Sequence, residues 1–527
     1  MTRDLAAMEH REYDLLVIGG GILGCAVARD AAGRGLRVAL VEKEDFAYGT
    51  TSRSTRLIHG GLRYLELYDF GLVHEGLHER EVLLRTAPHL VRGLPFVTPV
   101  YAGDRWRPGM VRAGMVLYDL LSLGKSLPSH RMLSPAQVRE LEPGLRSEGL
   151  LGGALYYDGQ VEFPERLCLA SILGATRRGA DVANYAAARS LLREGRQVVG
   201  AVVEDRLSGK EHRLRARVVL NAAGPWADEV ARLADPRARP VLRRTKGIHL
   251  VVPAFTRHAV VLLARRDGRV FFAVPWAGRT LVGTTDTDYE CSPDLVRAEP
   301  EEVAYLVEET RRVFPQANLG QIQHAMAGVR ALVRSRRAAE SAVSRKHRVL
   351  DHAGDGAPGL ISLFGGKITG ARAIAAEAVD VAAHRLGVRR ASTTTREPYF
   401  GGEVPPERLR PEVSARAAAL GLESDQAEAL VALYGTAAGE VLALAEAEPE
   451  LARRLTPDRP EILAQVHYAV HTEMARTSAD FLWRRTGIGY APDHGLSALP
   501  AVSQAMGRLL GWSVEEQQRD LRRADPS

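Results

Sequence analysis

The turn Gly19-Gly20-Gly21-Ile22-Leu23-Gly24 carries three glycines at the G-x-G-x-x-G spacing of a pyrophosphate-binding turn. Gly19 permits a tight turn out of a strand, Gly21 lets backbone approach a phosphate, and Gly24 lets a following helix pack closely on the strand. The apolar run from Tyr13 to Ile18 precedes the turn, and an Ala-rich stretch with helical spacing follows it from Cys25 to Arg34. Gly35 breaks that helix, and a second apolar run from Arg37 to Val41 ends at Glu42. Strand, helix, strand and acid together give the glycines a specificity they lack alone. The helix N-terminus offers free N–H groups and a positive dipole end to phosphates. Glu42 is suited to accept hydrogen bonds from a ribose, and its charge disfavours a 2′-phosphate. The predicted chemistry is adenine-dinucleotide binding, with FAD and NAD both open at this point.

Other residues carry groups suited to a reaction. His59 followed by Gly60 and Gly61 lets backbone lie close to a flat ligand. Arg63 offers a planar fork for a phosphate or an oxyanion, and Tyr64 adds a hydroxyl. His249 stands in the β-type run Ile248 to Val252, so its side chain faces one side only. From Arg330 to Arg348 there are seven Lys or Arg, one acid (Glu340) and no aromatic residue. A nucleic-acid surface would interleave aromatics with such charge, so the rim of a phosphate pocket is the better reading. Lys367 follows Gly365 and Gly366 and is placed to hold negative charge at a reacting centre. Thr369 reads as a further contact, as the cap of a following helix, or as both.

The segment from Ser52 to Glu66, with Arg-Leu-Ile-His-Gly-Gly-Leu-Arg-Tyr at its centre, resembles the FAD-dependent glycerol-3-phosphate dehydrogenases. Asn221 to Ala227, Lys246 to Pro253, Val282 to Thr287, Phe364 to Thr369, Glu473 to Thr477 and Arg484 to Thr486 are similar in order, over nearly the whole chain. The resemblance implies a Rossmann-type FAD-binding domain of the glutathione-reductase/D-amino-acid-oxidase kind, an antiparallel substrate-domain sheet and an all-helical C-terminal cap: α/β, or α+β overall. It implies that Thr51, Ser52, Ser54, His59, Gly60, Gly61, Gly224, Gly365, Gly366 and Lys367 join the glycine turn and Glu42 around FAD. It makes Arg63, Tyr64, Arg330, Lys367 and Thr369 substrate contacts, with Arg330 on the phosphate. Where the family has Gly-Val-Arg-Pro-Leu, this chain has Ala331 in place of the proline, so the turn after Arg330 is less fixed. His59 and His249 stand level as proton acceptors, with Arg63 and Lys367 favouring an alkoxide. The implied reaction is hydride transfer from sn-glycerol 3-phosphate to FAD, giving dihydroxyacetone phosphate, with electrons passed to a membrane quinone.

The elements that must position these residues divide as follows. Residues 10–85, 150–235 and 340–388 are expected to build the FAD domain. Residues 86–149, read as irregular and helical with seven prolines as punctuation, and 236–339 would form the substrate domain. A polar linker is expected at 389–411 and helices at 412–527. The chain has 527 residues, 46% apolar and 25% charged, which excludes a disordered or collagen-like protein. Three distant cysteines suggest neither disulfides nor a metal site, and a net charge of +6 is a mild bias. No apolar run of membrane-spanning length and no signal core were found, so the expectation is a cytoplasmic protein on the inner face of the cell membrane. Attachment would be peripheral, to anionic lipid; Met110 to Leu127, with Arg107, Arg112 and Lys125 nearby, reads first as an ordinary helix packed on the FAD domain and second as an interfacial amphipathic helix. No nucleic-acid partner is expected, and a homodimer is compatible with the resemblance. The rivals are a glycerol-3-phosphate oxidase using dioxygen, an FAD-dependent amine or amino-acid oxidase, and a non-catalytic dinucleotide sensor.

Overall fold

In the computed structural model, which describes residues 1–66, 68–334 and 346–524, the first apolar run becomes the central strand Glu12–Ile18. It pairs in parallel with Val38–Val41 on one side and with Glu211–Asn221 on the other, beyond which lies Leu360–Phe364. Leu15, Leu16 and Val17 are fully buried, as a strand covered on both faces requires. Helices Ile22–Gly33, Pro164–Thr176 and Ala371–Leu386 cover one face of this sheet. An antiparallel meander, Ala186–Glu194 and Gln197–Asp205, leads onto Glu211–Asn221.

A second sheet stands beside the first. Strand Leu242–Pro253 pairs along its length with His324–Val333 and, over its second half, with Arg279–Gly283. Val270–Trp276 and Ala259–Leu263 continue the sheet. It then crosses to Val91–Tyr101, Leu150–Val161 and Leu57–Ile58. Three expectations are corrected here. The region 86–149 is not merely helical and irregular, because Val91–Tyr101 is a long strand containing Pro95 and Pro99. Proline is tolerated where its missing N–H has no ladder partner, and Ala259–Leu263 reaches only Phe96 and Val97 of this strand. The strand Leu150–Val161, expected in the dinucleotide domain, belongs to the second sheet. That sheet is also not purely antiparallel, since Ala259–Leu263 and Val91–Tyr101 run parallel.

The C-terminal helices begin at Pro406–Ala419, so the linker ends earlier than expected and Pro411 lies inside a helix. Ser424–Ala447 has the composition of a membrane span, but 56% of its apolar window is buried and Gly435–Ala437 divides it into two helices. It is the core of the C-terminal domain. That domain braces the dinucleotide domain through Asp45, whose carboxylate accepts from Arg484 Nε at 2.6 Å and from Arg485 Nη1 and Nη2 at 2.6 and 2.9 Å. Asp45 follows Glu42 by three residues, so the brace holds the strand end that presents Glu42.

Candidate active site

The parallel strands end at a cleft of about 510 Å³ lined by Gly19, Gly21, Glu42, Gly224, Gly365 and Gly366 among others. Whether it suits a dinucleotide is answered by what the glycines face. A Cβ at Gly19 would strike the backbone of Ala222, and one at Gly24 would strike the Gly19 carbonyl. These two are required by the protein's own packing. A Cβ at Gly21 would find nothing nearer than Thr51 Oγ1 at 3.6 Å, so what a side chain there would obstruct is the cleft itself. Gly21 is also the N-cap of helix Ile22–Gly33 and supplies no side-chain cap, which leaves that helix end open to an anion. The residues present fit FAD.

Glu42 is half-buried, and burial raises its pKa against the pull of two backbone N–H groups. Its carboxylate accepts from Gly20 N at 2.6 Å and Glu44 N at 2.9 Å. Each oxygen keeps a further lone pair for a ribose hydroxyl. Thr51 accepts from Ile22 N at 3.1 Å, tying the 50s loop to the helix start. Ser54 lines the cleft. Two predicted cofactor contacts face elsewhere. The Ser52 hydroxyl donates to the carbonyls of Tyr48 and Gly49. Gly60 donates its N–H to Tyr118 Oη at 3.1 Å, and a Cβ there would strike Leu77 and that hydroxyl. Ser52 and Gly60 shape the loop.

A second cavity of about 560 Å³ adjoins the first. Thr50, Ser54, Thr55, His59, Tyr64 and Arg330 line both; of the other expected catalytic residues, Lys367 lines only the first and His249 only the second. His59 is half-buried, meets Phe272 edge-on at 6.3 Å, and has its backbone N–H held by Thr369 Oγ1 at 3.1 Å. Thr369 is thus not the cap of Ala371–Leu386, which is Gly370; its hydroxyl fixes His59. Lys367 Nζ lies 3.8 Å from the centre of the Tyr64 ring, a cation–π contact. Gly61 lines the second cavity. Arg63 opens the helical turn Arg63–Glu66, and its side chain lies outside what the structure describes.

Arg330 comes from the strand beside His249. Its guanidinium lies across Gly247, where a Cβ would collide with it. Nη2 donates to Thr284 Oγ1 at 2.7 Å and Nη1 to Asp286 Oδ1 at 3.0 Å. Of the basic run beyond it, 335–345 lies outside the described residues. Two cavity-lining cations escaped the sequence reading: Arg53, over the Tyr48 ring at 4.8 Å, and Arg269, whose Nη1 donates to the Asp286 carbonyl at 3.0 Å. Their only sequence signal was charge, which surface arginines share.

His249 is buried, with Nε2 2.8 Å from Thr55 Oγ1. Its Nδ1 is enclosed without a hydrogen-bond partner among the described residues. Burial first, then the charges of Arg330 and Arg56, lowers its pKa to about 3. Burial likewise lowers His89 to about 3 and His324 to about 4. The unfolded chain protonates such histidines near pH 6.5, where the folded chain keeps them neutral. Stability therefore falls as pH drops from 6.5 towards 4, by about 1.4 kcal/mol per histidine per pH unit. The melting temperature should fall steeply over that window, and His324→Phe should lessen the slope by removing one of its larger contributors. A melting temperature flat down to pH 4.5 contradicts this account.

Comparison with known proteins follows the same division. Residues 14–372 match the family model described as FAD dependent oxidoreductase, and residues 392–517 match the C-terminal domain of alpha-glycerophosphate oxidase. The glycerol-3-phosphate dehydrogenase of Synechocystis is 42% identical over 99% of this chain and 97% of its own length. The human mitochondrial glycerol-3-phosphate dehydrogenase is 36% identical over 97% of this chain and 72% of its own. The crystal structure of the Bacillus halodurans glycerol-3-phosphate dehydrogenase complexed with FAD superposes with a TM-score of 0.81 at 32% identity, over 99% of this chain and 97% of that one.

Proposed function

Since this chain belongs to the FAD-dependent oxidoreductase family, among its glycerol-3-phosphate dehydrogenases, we propose that it oxidises sn-glycerol 3-phosphate to dihydroxyacetone phosphate and passes the electrons to a membrane quinone. The observation that carries this reading is the junction of two cavities, one built for a dinucleotide and one walled by arginines, at His59, Tyr64 and Arg330. FAD, when bound, supplies the hydride acceptor. The residues around the glycine turn and Glu42 would hold it. Arg330, with Arg269 and Arg53 on the same cavity wall, binds and orients the phosphate dianion. The imidazole of His59 takes the proton from the secondary hydroxyl. Lys367, poised over Tyr64, stabilises the charge that develops on that oxygen. The aromatic surround of the half-buried Phe272 and the buried Tyr156 limits water and strengthens these electrostatic contacts. The test is the visible spectrum of the anaerobic protein before and after sn-glycerol 3-phosphate. A yellow protein that bleaches supports the reading, and one that stays oxidised overturns it. Stoichiometric peroxide in air, with no turnover of quinone, would replace the quinone by dioxygen.

The same reading carries peripheral attachment to the inner membrane face. Helix Pro108–Leu121 buries Val111, Met115 and Tyr118 and leaves Met110, Val116 and Leu120 exposed by 51, 44 and 56%, with Leu123 at 83% just beyond. Arg107 and Arg112 flank that exposed stripe. Lys125 is paired with Asp119, so its charge is already offset. Each basic side chain near an anionic surface contributes about 1 kcal/mol. Replacing Arg107, Arg112 and Lys125 by Glu should weaken binding to vesicles containing phosphatidylglycerol by roughly 10²-fold. Most of the loss should come from the two arginines. Unchanged partition ends the idea.

A further inference from the structure

The imidazole of His59 takes the proton in the reading above, yet the backbone that carries it is intrinsically soft, since Gly60 and Gly61 follow at once. We infer that Tyr118 is a positioning residue for that imidazole, held in one hydrogen-bond polarity by the buried pair Asp158 and Arg80. This deepens the glycerol 3-phosphate reading and rests on it.

The contacts run in one direction. Arg80 and Asp158 are 0 and 1% exposed, and Arg80 Nη1 donates to Asp158 Oδ1 at 2.7 Å. Burial raises the Asp158 pKa, against the charge of Arg80 and the hydrogen bonds from Tyr118, Arg80 and the Gly60 N–H. These neighbours donate to the carboxyl or carry positive charge, which suits its ionised form. A carboxylate accepts and does not donate. The Tyr118 hydroxyl accordingly gives its proton to Asp158 Oδ2 at 2.7 Å and keeps a lone pair for the Gly60 N–H, 3.1 Å away. Burial and the Asp158 charge push the Tyr118 pKa well above its ordinary value, so the hydroxyl keeps its proton. The ring itself is buried and meets Tyr156 edge-on at 5.9 Å.

A second argument is what else grips the same stretch of backbone. Thr369 Oγ1 accepts from the His59 N–H at 3.1 Å. A Cβ at Gly76, on the helix Phe70–Thr86, would come within 3.2 Å of the His59 carbonyl oxygen and 3.0 Å of Gly60 Cα. The peptide between His59 and Gly60 thus has its N–H on one helix and its carbonyl against another. Tyr118, Asp158 and Arg80 line neither cavity, so they act on the reaction through this peptide and not by touching a ligand. A general base works only within hydrogen-bond reach of the proton it takes, and a displacement of about 1 Å costs about 10²-fold in rate.

The test is anaerobic stopped-flow reduction of the holoenzyme by sn-glycerol 3-phosphate, which separates the limiting rate of flavin reduction from the substrate dissociation constant. Tyr118→Phe should lower the limiting rate by about tenfold to 10²-fold and leave the dissociation constant close to wild type. Asp158→Asn should lower the rate further, although the tyrosine is still present. The asparagine turns its oxygen to Arg80 and its NH₂ to Tyr118, which reverses the hydroxyl and sets its proton against the Gly60 N–H. In the double variant that conflict is gone, so the rate should return to that of Tyr118→Phe. Sites that act independently would add their losses. FAD content and melting temperature report whether each variant is folded, and if Asp158→Asn is not, Tyr118→Phe alone decides. A wild-type limiting rate in Tyr118→Phe, a loss confined to the dissociation constant, or additive losses in the double variant overturns the assignment while the substrate reading stands. If the substrate does not reduce the wild type, that reading fails and the assignment with it.

Discussion

His59→Asn is expected to lower kcat for sn-glycerol 3-phosphate by about 10²–10⁴, with FAD content and substrate affinity close to wild type. The reason lies in how differently the two candidate histidines are held. His59 lines both cavities, and Thr369 fixes its backbone rather than its ring. His249 has one ring nitrogen on Thr55 and the other enclosed. With a pKa of about 3, it is a weak acceptor at neutral pH, because a useful general base titrates near the working pH. His249→Gln should accordingly cost less in kcat than His59→Asn and should appear mainly in KM, since His249 packs against Gly283 beside the threonines that hold Arg330. The acid limb of the kcat profile should disappear in His59→Asn and persist in His249→Gln. The opposite pattern would make His249 the base. Thr369→Val should produce a smaller loss of kcat, because it frees the His59 backbone without removing the imidazole.

The dinucleotide half of the site was legible in the sequence because its signals are local. Strand, glycine turn, helix and Glu42 all fall within residues 13–42, and each glycine has a mechanical reason that spacing reveals. The second cavity was less legible because its walls meet only through long-range pairing. Leu57–Ile58, Val91–Tyr101 and Leu150–Val161 are neighbours in one sheet, yet prolines in one of these strands and glycines in another read as breaks. A Cβ at Gly153 would strike the Thr98 carbonyl, and one at Gly159 the Ile58 carbonyl; these glycines mark close strand approach rather than loops. Arg53 and Arg269 join Arg330 through the same pairing. Asp45 gave no signal, because its partners Arg484 and Arg485 lie over 400 residues away. Local spacing lets the hydroxyl of Thr369 read as a ligand contact, a helix cap or both. Only the fold shows that it reaches His59.

Arg330→Met is expected to lower kcat/KM for sn-glycerol 3-phosphate by about 10²–10³. Hydrogen bonds to charged groups are worth about 1.5–3 kcal/mol each, and a phosphate oxygen would replace one or two of the acceptors that the Nη groups of Arg330 now serve, Lys246 O, Asp286 Oδ1, Thr284 Oγ1 and Thr285 O. Arg330 already lies in a defined orientation, held by Thr284 and Asp286 above Gly247, so little side-chain freedom is lost on binding. Phosphate held at a distance from the reacting carbon is binding energy spent on orientation. Both kcat and KM should therefore suffer. Arg330→Lys keeps the charge but not the fork and should fall between the wild type and Arg330→Met. The decisive measurement is the ratio of kcat/KM for glycerol 3-phosphate to that for glycerol. If Arg330 holds the phosphate, that ratio collapses by the same factor as kcat/KM itself, because glycerol never used the contact. If both substrates lose equally, Arg330 acts on the reacting centre instead. Its charge contributes to the low pKa of His249, so Arg330→Met would then shift the pH profile, and His249 would return as the group that titrates.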